Sequence, residues 1–237
     1  MSWDKQQSVL EYMNRFEDYF YKDLDVLLSI KKDADGFGAC ATAQAMLVFS
    51  AVDLFSYLTR GSSEMRKLSN GDPITDEDLL KAGNNTDSFK IFLKKRRYFP
   101  EIDENDIGNL IAIYRHGIVH QYFPKYCGIG KPKCKNELEH LFYSSGTKEN
   151  GDPAYSLNVN RFSLIVKNAL KIIKSDLSSD EDLVNTFYLR REKKDQADKA
   201  IGDVFIPVNH DICDPFDSSP NTTIAPTTTP PPSTHIR

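Results

Sequence analysis

Asp103-Glu104-Asn105-Asp106-Ile107-Gly108-Asn109-Leu110-Ile111-Ala112-Ile113-Tyr114-Arg115-His116-Gly117-Ile118-Val119-His120-Gln121-Tyr122 is the stretch on which the reading of this chain turns. Ile107, Leu110, Ile111, Tyr114 and Ile118 recur three and four residues apart, the spacing that lines one face of an α-helix. Three acids, Asp103, Glu104 and Asp106, stand where the positive end of a helix dipole favours them, and Pro124 cannot continue the helix. The stretch predicts one helix over residues 103–121. On a wheel of about 100° per residue with Ile107 at zero, Arg115 falls at about 80°, His116 at about 180° and His120 at about 220°. The histidines therefore stand opposite the apolar stripe, and core packing does not account for them. The bland alternative is a pair of solvated histidines on a polar face.

On the N-terminal side, residues 3–32 carry Val9, Leu10, Met13, Phe16, Phe20, Leu24, Leu27 and Leu28 at helical spacing and predict a long first helix. Residues 37–59 are apolar beyond the needs of one stripe, which predicts a largely buried second helix stopped near Gly61. Residues 61–83 are polar, with Asn70-Gly71-Asp72-Pro73 as turn chemistry and at most a short helix, so they read as a connection. Residues 86–98 predict a helix whose second half holds Lys94, Lys95, Arg96 and Arg97 without an acid among them.

On the C-terminal side, residues 123–135 hold two prolines, two glycines and four lysines and read as a loop. Residues 139–144 and 154–159 flank Gly146 and Asn150-Gly151-Asp152-Pro153 like the arms of a hairpin. Residues 160–175 and 180–201 predict two further helices, the latter with a charged run, 190–195, expected on a solvated face. The expected fold is all-α: a helical bundle over residues 1–205 with a small β-hairpin insertion. Residues 206–237 form an expected disordered tail, because Ser, Thr and Pro bury too little apolar surface to offset the ordering entropy.

A chain of 237 residues, 40% hydrophobic and 27% charged, has the composition of one globular domain with appendages. No run suggests a membrane helix and the polar N-terminus lacks a signal-peptide pattern, so the expectation is a cytoplasmic protein with no membrane partner. Cys40, Cys127, Cys134 and Cys213 are then thiols, and the Asn84 and Asn221 sequons carry no sugar. A net charge of −4 excludes a generally basic coat, so any nucleic-acid footprint has to be local. Gly-rich phosphate loops, Gly-x-Ser-x-Gly elbows and His-Glu-x-x-His are absent from the sequence, which removes the commoner nucleotide, acyl-transfer and metalloprotease readings.

A bare Arg-x4-His is common by chance, and here its setting near the end of a late helix adds the specificity. Arg115-His116-Gly117-Ile118-Val119-His120-Gln121-Tyr122 resembles the HEPN motif, including the longer Arg-x4-His-x-Tyr form of HEPN toxins from toxin–antitoxin pairs. The resemblance implies a helical bundle that forms a homodimer through its motif helices and, in active members, a metal-independent endoribonuclease with RNA as partner and no cofactor. It makes Arg115 and His120 the catalytic candidates and gives His116 a supporting part. Tyr122 matches a tyrosine that, in some toxin pairs, accepts adenylylation by a nucleotidyltransferase-type antitoxin; a simple packing role is the alternative.

The chemistry suits these residue types. Intramolecular RNA cleavage needs a proton taken from the 2′-hydroxyl, a proton given to the leaving 5′-oxygen, and positive charge on the phosphorane. A histidine supplies the proton transfers near neutrality and a guanidinium grips two phosphate oxygens. Arg115 and His120 are about 140° apart on an ideal helix, so a second copy helps to bring both to one phosphate. Ala112 and Val119, between them, would admit that copy closely. Asp53, in an apolar stretch of the second helix, is expected to pair with Arg115 or His120. Lys94, Lys95, Arg96 and Arg97 before the motif, and Lys125, Lys131 and Lys133 after it, are candidate phosphate contacts. A zinc site on His116, His120, Cys127 and Cys134 is the competing reading.

Overall fold

The computed structural model describes residues 3–30, 40–75, 78, 85–113, 128–132 and 138–202. These residues are mostly helical: α1 (Trp3–Ser29), α2 (Ala41–Leu58), α3 (Asn85–Leu93), α4 (Glu104–Ile113), α5 (Val159–Leu177) and α6 (Glu181–Gly202). Between α4 and α5 in chain order stand three strands, β1 (Gly128–Gly130), β2 (Phe142–Thr147) and β3 (Pro153–Asn158).

The bundle is organised around α2. Its buried positions, from Gln44 through Leu58, do not reduce to one stripe, because α1, α3, α5, α6 and β1 all pack against it. This qualifies the expectation that no run suggests a membrane helix: Ala41–Leu58, with a mean hydropathy of 1.3, has the length and composition of a span. Here 56% of it is buried inside the protein, so encirclement by other helices accounts for its apolarity. Phe49 packs against Phe89 and Phe162, with ring centroids 6.1 and 4.9 Å apart, and Phe55 against Phe16 and Phe187, at 4.9 and 6.1 Å. These rings tie α1, α3, α5 and α6 to the central helix. Truncating such a ring to alanine typically costs about 3–5 kcal/mol.

The tetrapeptide Asn-Gly-Asp-Pro occurs twice and folds the same way twice. In each, an asparagine Oδ1 accepts from the aspartate amide at 3.2 Å, as Asn70 does from Asp72 and Asn150 from Asp152. The asparagine Nδ2 donates to the same aspartate's carboxylate, at 2.6 and 2.8 Å. Gly71 and Gly151 lie at φ 75° and 88°, left-handed values that favour glycine. The second turn closes the expected β2–β3 hairpin; the first closes a smaller one, bridging Arg66 to Pro73.

Two sequence expectations are corrected here. The basic segment read as a loop contains β1, which lies parallel to β3 and makes the hairpin a three-stranded sheet in the order β1-β3-β2. Its glycines are what admit it, because a Cβ at Gly128 would run into the Ser156 hydroxyl and one at Gly130 into that of Tyr143. The third helix ends at Leu93 rather than near residue 98, with 96–98 in a turn. At β3's end the Asn158 side chain accepts from the Arg161 amide at 3.1 Å and caps α5.

Candidate functional site

α4 is the first half of the decisive stretch, and its start is capped reciprocally. The Asp106 amide donates to Asp103 Oδ1 at 2.8 Å, and the Asp103 amide to Asp106 Oδ2 at 3.3 Å. Burial pushes the Asp106 carboxyl above its ordinary range, and the hydrogen bond from the Asp103 backbone partly offsets this. Ile107, Leu110 and Ile113 are buried, as the periodicity predicts. Arg115, His116, His120 and Tyr122 lie outside the described residues, as do Lys125, Lys133, Cys127, Cys134 and the tail. Asp53 is half-buried on α2, and the partners expected for it are beyond the described part. Among the described residues His140 is the one histidine, it is exposed, and no group of His, Cys, Asp and Glu side chains could hold a metal ion.

The cluster 94–97 is spread over four intramolecular attachments. Lys94 Nζ lies 2.8 Å from Glu104 at the start of α4. Lys95 Nζ donates to the Thr59 carbonyl at 3.2 Å and lies 3.1 Å from Glu64, so it fastens the end of α2 to the connector that follows. Arg96 donates to the Ile102 carbonyl at 2.8 Å. Arg97 makes a two-pronged bond to Asp176 near the end of α5, which raises its pKa, and Tyr98 Oη donates to the same carboxylate at 3.2 Å.

Lys131, at the end of β1, behaves in the same way. Its Nζ donates to the Leu27 and Ile30 carbonyls at 2.7 and 3.2 Å, at the C-terminal end of α1. Burial lowers its pKa. A residue expected on RNA thus ties the sheet to the first helix.

Two arginines that the sequence did not single out build a cleft. Arg60, just past α2, is 1% exposed, and its guanidinium donates to the carbonyls of Glu64 and Arg66, at 2.8 and 2.9 Å, and to the Ser88 hydroxyl. Burial lowers its pKa, Asp87 and Glu64 raise it, and the nearby charge of Arg190 lowers it again. Arg190 on α6 is 6% exposed; its Nε donates to the Arg60 carbonyl at 2.9 Å, its Nη2 reaches Met65 Sδ at 2.9 Å, and its guanidinium lies 5.5 Å from the centroid of Tyr57. The solvated face expected of residues 190–195 is therefore corrected at its first position. The missed signal is positional, since Arg190 follows Val184 and Phe187 on the buried side of α6. Beside Arg190 opens a cleft of about 610 Å³ between the 62–75 connector and α6.

No family model, curated protein or solved structure matches this chain.

Proposed function

We propose that this chain is a HEPN-type domain that cleaves RNA without a metal, with Arg115 and His120 at the reacting phosphate. The observation that carries the reading is the segment Arg115-His116-Gly117-Ile118-Val119-His120-Gln121-Tyr122, which begins two residues beyond the end of α4. It is supported by the helical bundle and by α4, whose buried Ile107, Leu110 and Ile113 follow the register from which the histidines are assigned to the polar face.

In this reaction the 2′-oxygen of a ribose attacks the adjacent phosphorus while a base removes its proton. The bond to the 5′-oxygen breaks, and an acid protonates that oxygen, leaving a 2′,3′-cyclic phosphate and a 5′-hydroxyl. His120 is the proton-transfer group and Arg115 stabilises the phosphorane; His116 orients the site. A homodimer through the motif helix supplies the second histidine and arginine, with Tyr122 as the acceptor if a nucleotidyltransferase antitoxin regulates the pair.

One observation favours a second reading, a non-catalytic module of the same type that binds RNA, a nucleotide or a protein. Lys94, Lys95, Arg96, Arg97 and Lys131 spend charge and donors on internal carboxylates and carbonyls, which leaves less cationic surface for a long polyanion than the sequence suggests. Incubation of wild type, Arg115→Ala and His120→Ala with total RNA in EDTA, followed by end-group analysis, separates the two. Cleavage to cyclic phosphate ends in wild type, reduced at least about 100-fold in either variant, is the expected result. Intact RNA with the wild type selects the binding module, and undiminished cleavage by a folded His120→Ala protein overturns the assignment of His120.

A further inference from the structure

The sequence holds two Asn-Gly pairs, Asn70-Gly71 and Asn150-Gly151, each followed by Asp-Pro. Asn-Gly is among the dipeptides most prone to spontaneous deamidation, because glycine has no Cβ to shield its amide nitrogen or to restrict the backbone. In that reaction the glycine nitrogen attacks the asparagine Cγ and gives up its proton to water. The bond from Cγ to Nδ2 breaks, ammonia leaves, and a five-membered succinimide remains. Water then opens the ring, by addition at Cγ to give aspartate or at the backbone carbonyl carbon to give isoaspartate. The balance is one water consumed and one ammonia released.

Burial does not prevent this chemistry here, since Asn70 and Asn150 are both exposed. What restrains it is a set of hydrogen bonds that the two turns share. The nucleophile is engaged: the Gly71 amide donates to the Lys67 carbonyl and the Gly151 amide to the Lys148 carbonyl, each at 2.9 Å. The electrophile is engaged as well. Its Oδ1 accepts from the amide of Asp72 or Asp152 at 3.2 Å, and its Nδ2 donates to the same residue's carboxylate at 2.6 or 2.8 Å. Around both, the Lys67 amide donates to the Asp72 carbonyl at 2.8 Å and the Lys148 amide to the Asp152 carbonyl at 2.7 Å. Ring closure requires the side chain and the glycine peptide plane to turn toward each other, so these bonds have to break together. A carboxylate that accepts from Nδ2 also brings no proton to the departing ammonia.

We propose that Asn70 and Asn150 are deamidation sites held closed by this clamp, with the Asp72 and Asp152 carboxylates as its positioning residues, and that each reacts only when its turn opens. The product does not close again in the same way. A new carboxylate faces Asp72 or Asp152 where an amide donor stood, and isoaspartate adds a backbone carbon between the paired lysine and aspartate. Each turn thus keeps a covalent record of its own opening.

Incubation of the full chain in mildly alkaline buffer, with peptide mapping that separates asparagine, aspartate and isoaspartate, tests this against unstructured peptides 67–74 and 147–154. The folded chain is expected to lose either asparagine at least about tenfold more slowly than its peptide, because the hydrogen bonds of the turn break first. Asp72→Ala, at an exposed position, should speed the loss of Asn70 at least about threefold and leave Asn150 unchanged; Asp152→Ala should do the reverse. Each variant is normalised to a peptide carrying the same substitution, and the untouched turn reports that the chain is folded. Where one substitution speeds both asparagines it has unfolded the chain, and the other variant decides. Loss at the peptide rate from either turn of the folded wild type, or an unchanged rate at the adjacent asparagine in a folded variant, would overturn the proposal.

Discussion

Residues 94–97 and 190–193 are similar in sequence: two short basic runs, the second interrupted by Glu192, each at the C-terminal side of an apolar helical pattern. In the folded protein they do different work. Lys94, Lys95, Arg96 and Arg97 each reach an acceptor elsewhere in the chain, three of them carboxylates: Glu104, Glu64 and Asp176. Arg190 is anchored to a backbone carbonyl and an aromatic ring, and with Lys193 it borders a cleft. The contrast teaches that what a basic run does is decided by the groups that the fold brings to it from far away in sequence.

The strongest test of this contrast is at the cleft's hidden support. Arg60→Met would strand two carbonyls and a hydroxyl that the guanidinium now satisfies, so unfolding free energy in urea should fall by about 3 kcal/mol. A loss within about 0.5 kcal/mol would mean that the connector holds itself and that the cleft is not preorganised by Arg60. Asp176→Asn should cost less, about 1–2 kcal/mol, because Arg97 is largely exposed and only the Tyr98 bond is buried. The same variant frees the Arg97 guanidinium, so a measurable rise in affinity for single-stranded RNA at low salt is expected. Unchanged RNA affinity would show that the carboxylate was not what kept this arginine from phosphate. Smallest is Lys94→Ala, which removes an exposed pair with Glu104 and should change stability by no more than about 0.5 kcal/mol.

Where local rules dominate, the sequence was legible. The first, fifth and sixth helices fall within a few residues of the expected ranges, because apolar positions repeat at helical spacing along most of the first and fifth and over the first turns of the sixth, at Leu183, Val184 and Phe187. The hairpin was legible from Asn150-Gly151-Asp152-Pro153, whose asparagine and glycine enforce a turn without help from the rest of the fold. β1 was not: Gly-Ile-Gly has no strand propensity of its own, and its glycines make sense only against Ser156 and Tyr143. The candidate site divides in the same way. Residue types and spacing suffice to propose Arg115 and His120, whereas the cleft joins residue 62 to residue 193 and leaves no local pattern beyond the placement of Arg190 on the buried side of its helix.

The sequence by itself determined the helices, the two matching Asn-Gly-Asp-Pro turns and the apolar face of α4, since these depend on side chains within a few residues of one another. Only the tertiary structure decided that α2 is encircled, that β1 exists, that Lys131 closes the end of α1 and that Arg190 is buried beside Arg60. A charged side chain bonds whichever acceptor the fold brings within about 3 Å. That acceptor can lie more than a hundred residues away, as the Arg60 carbonyl does from Arg190.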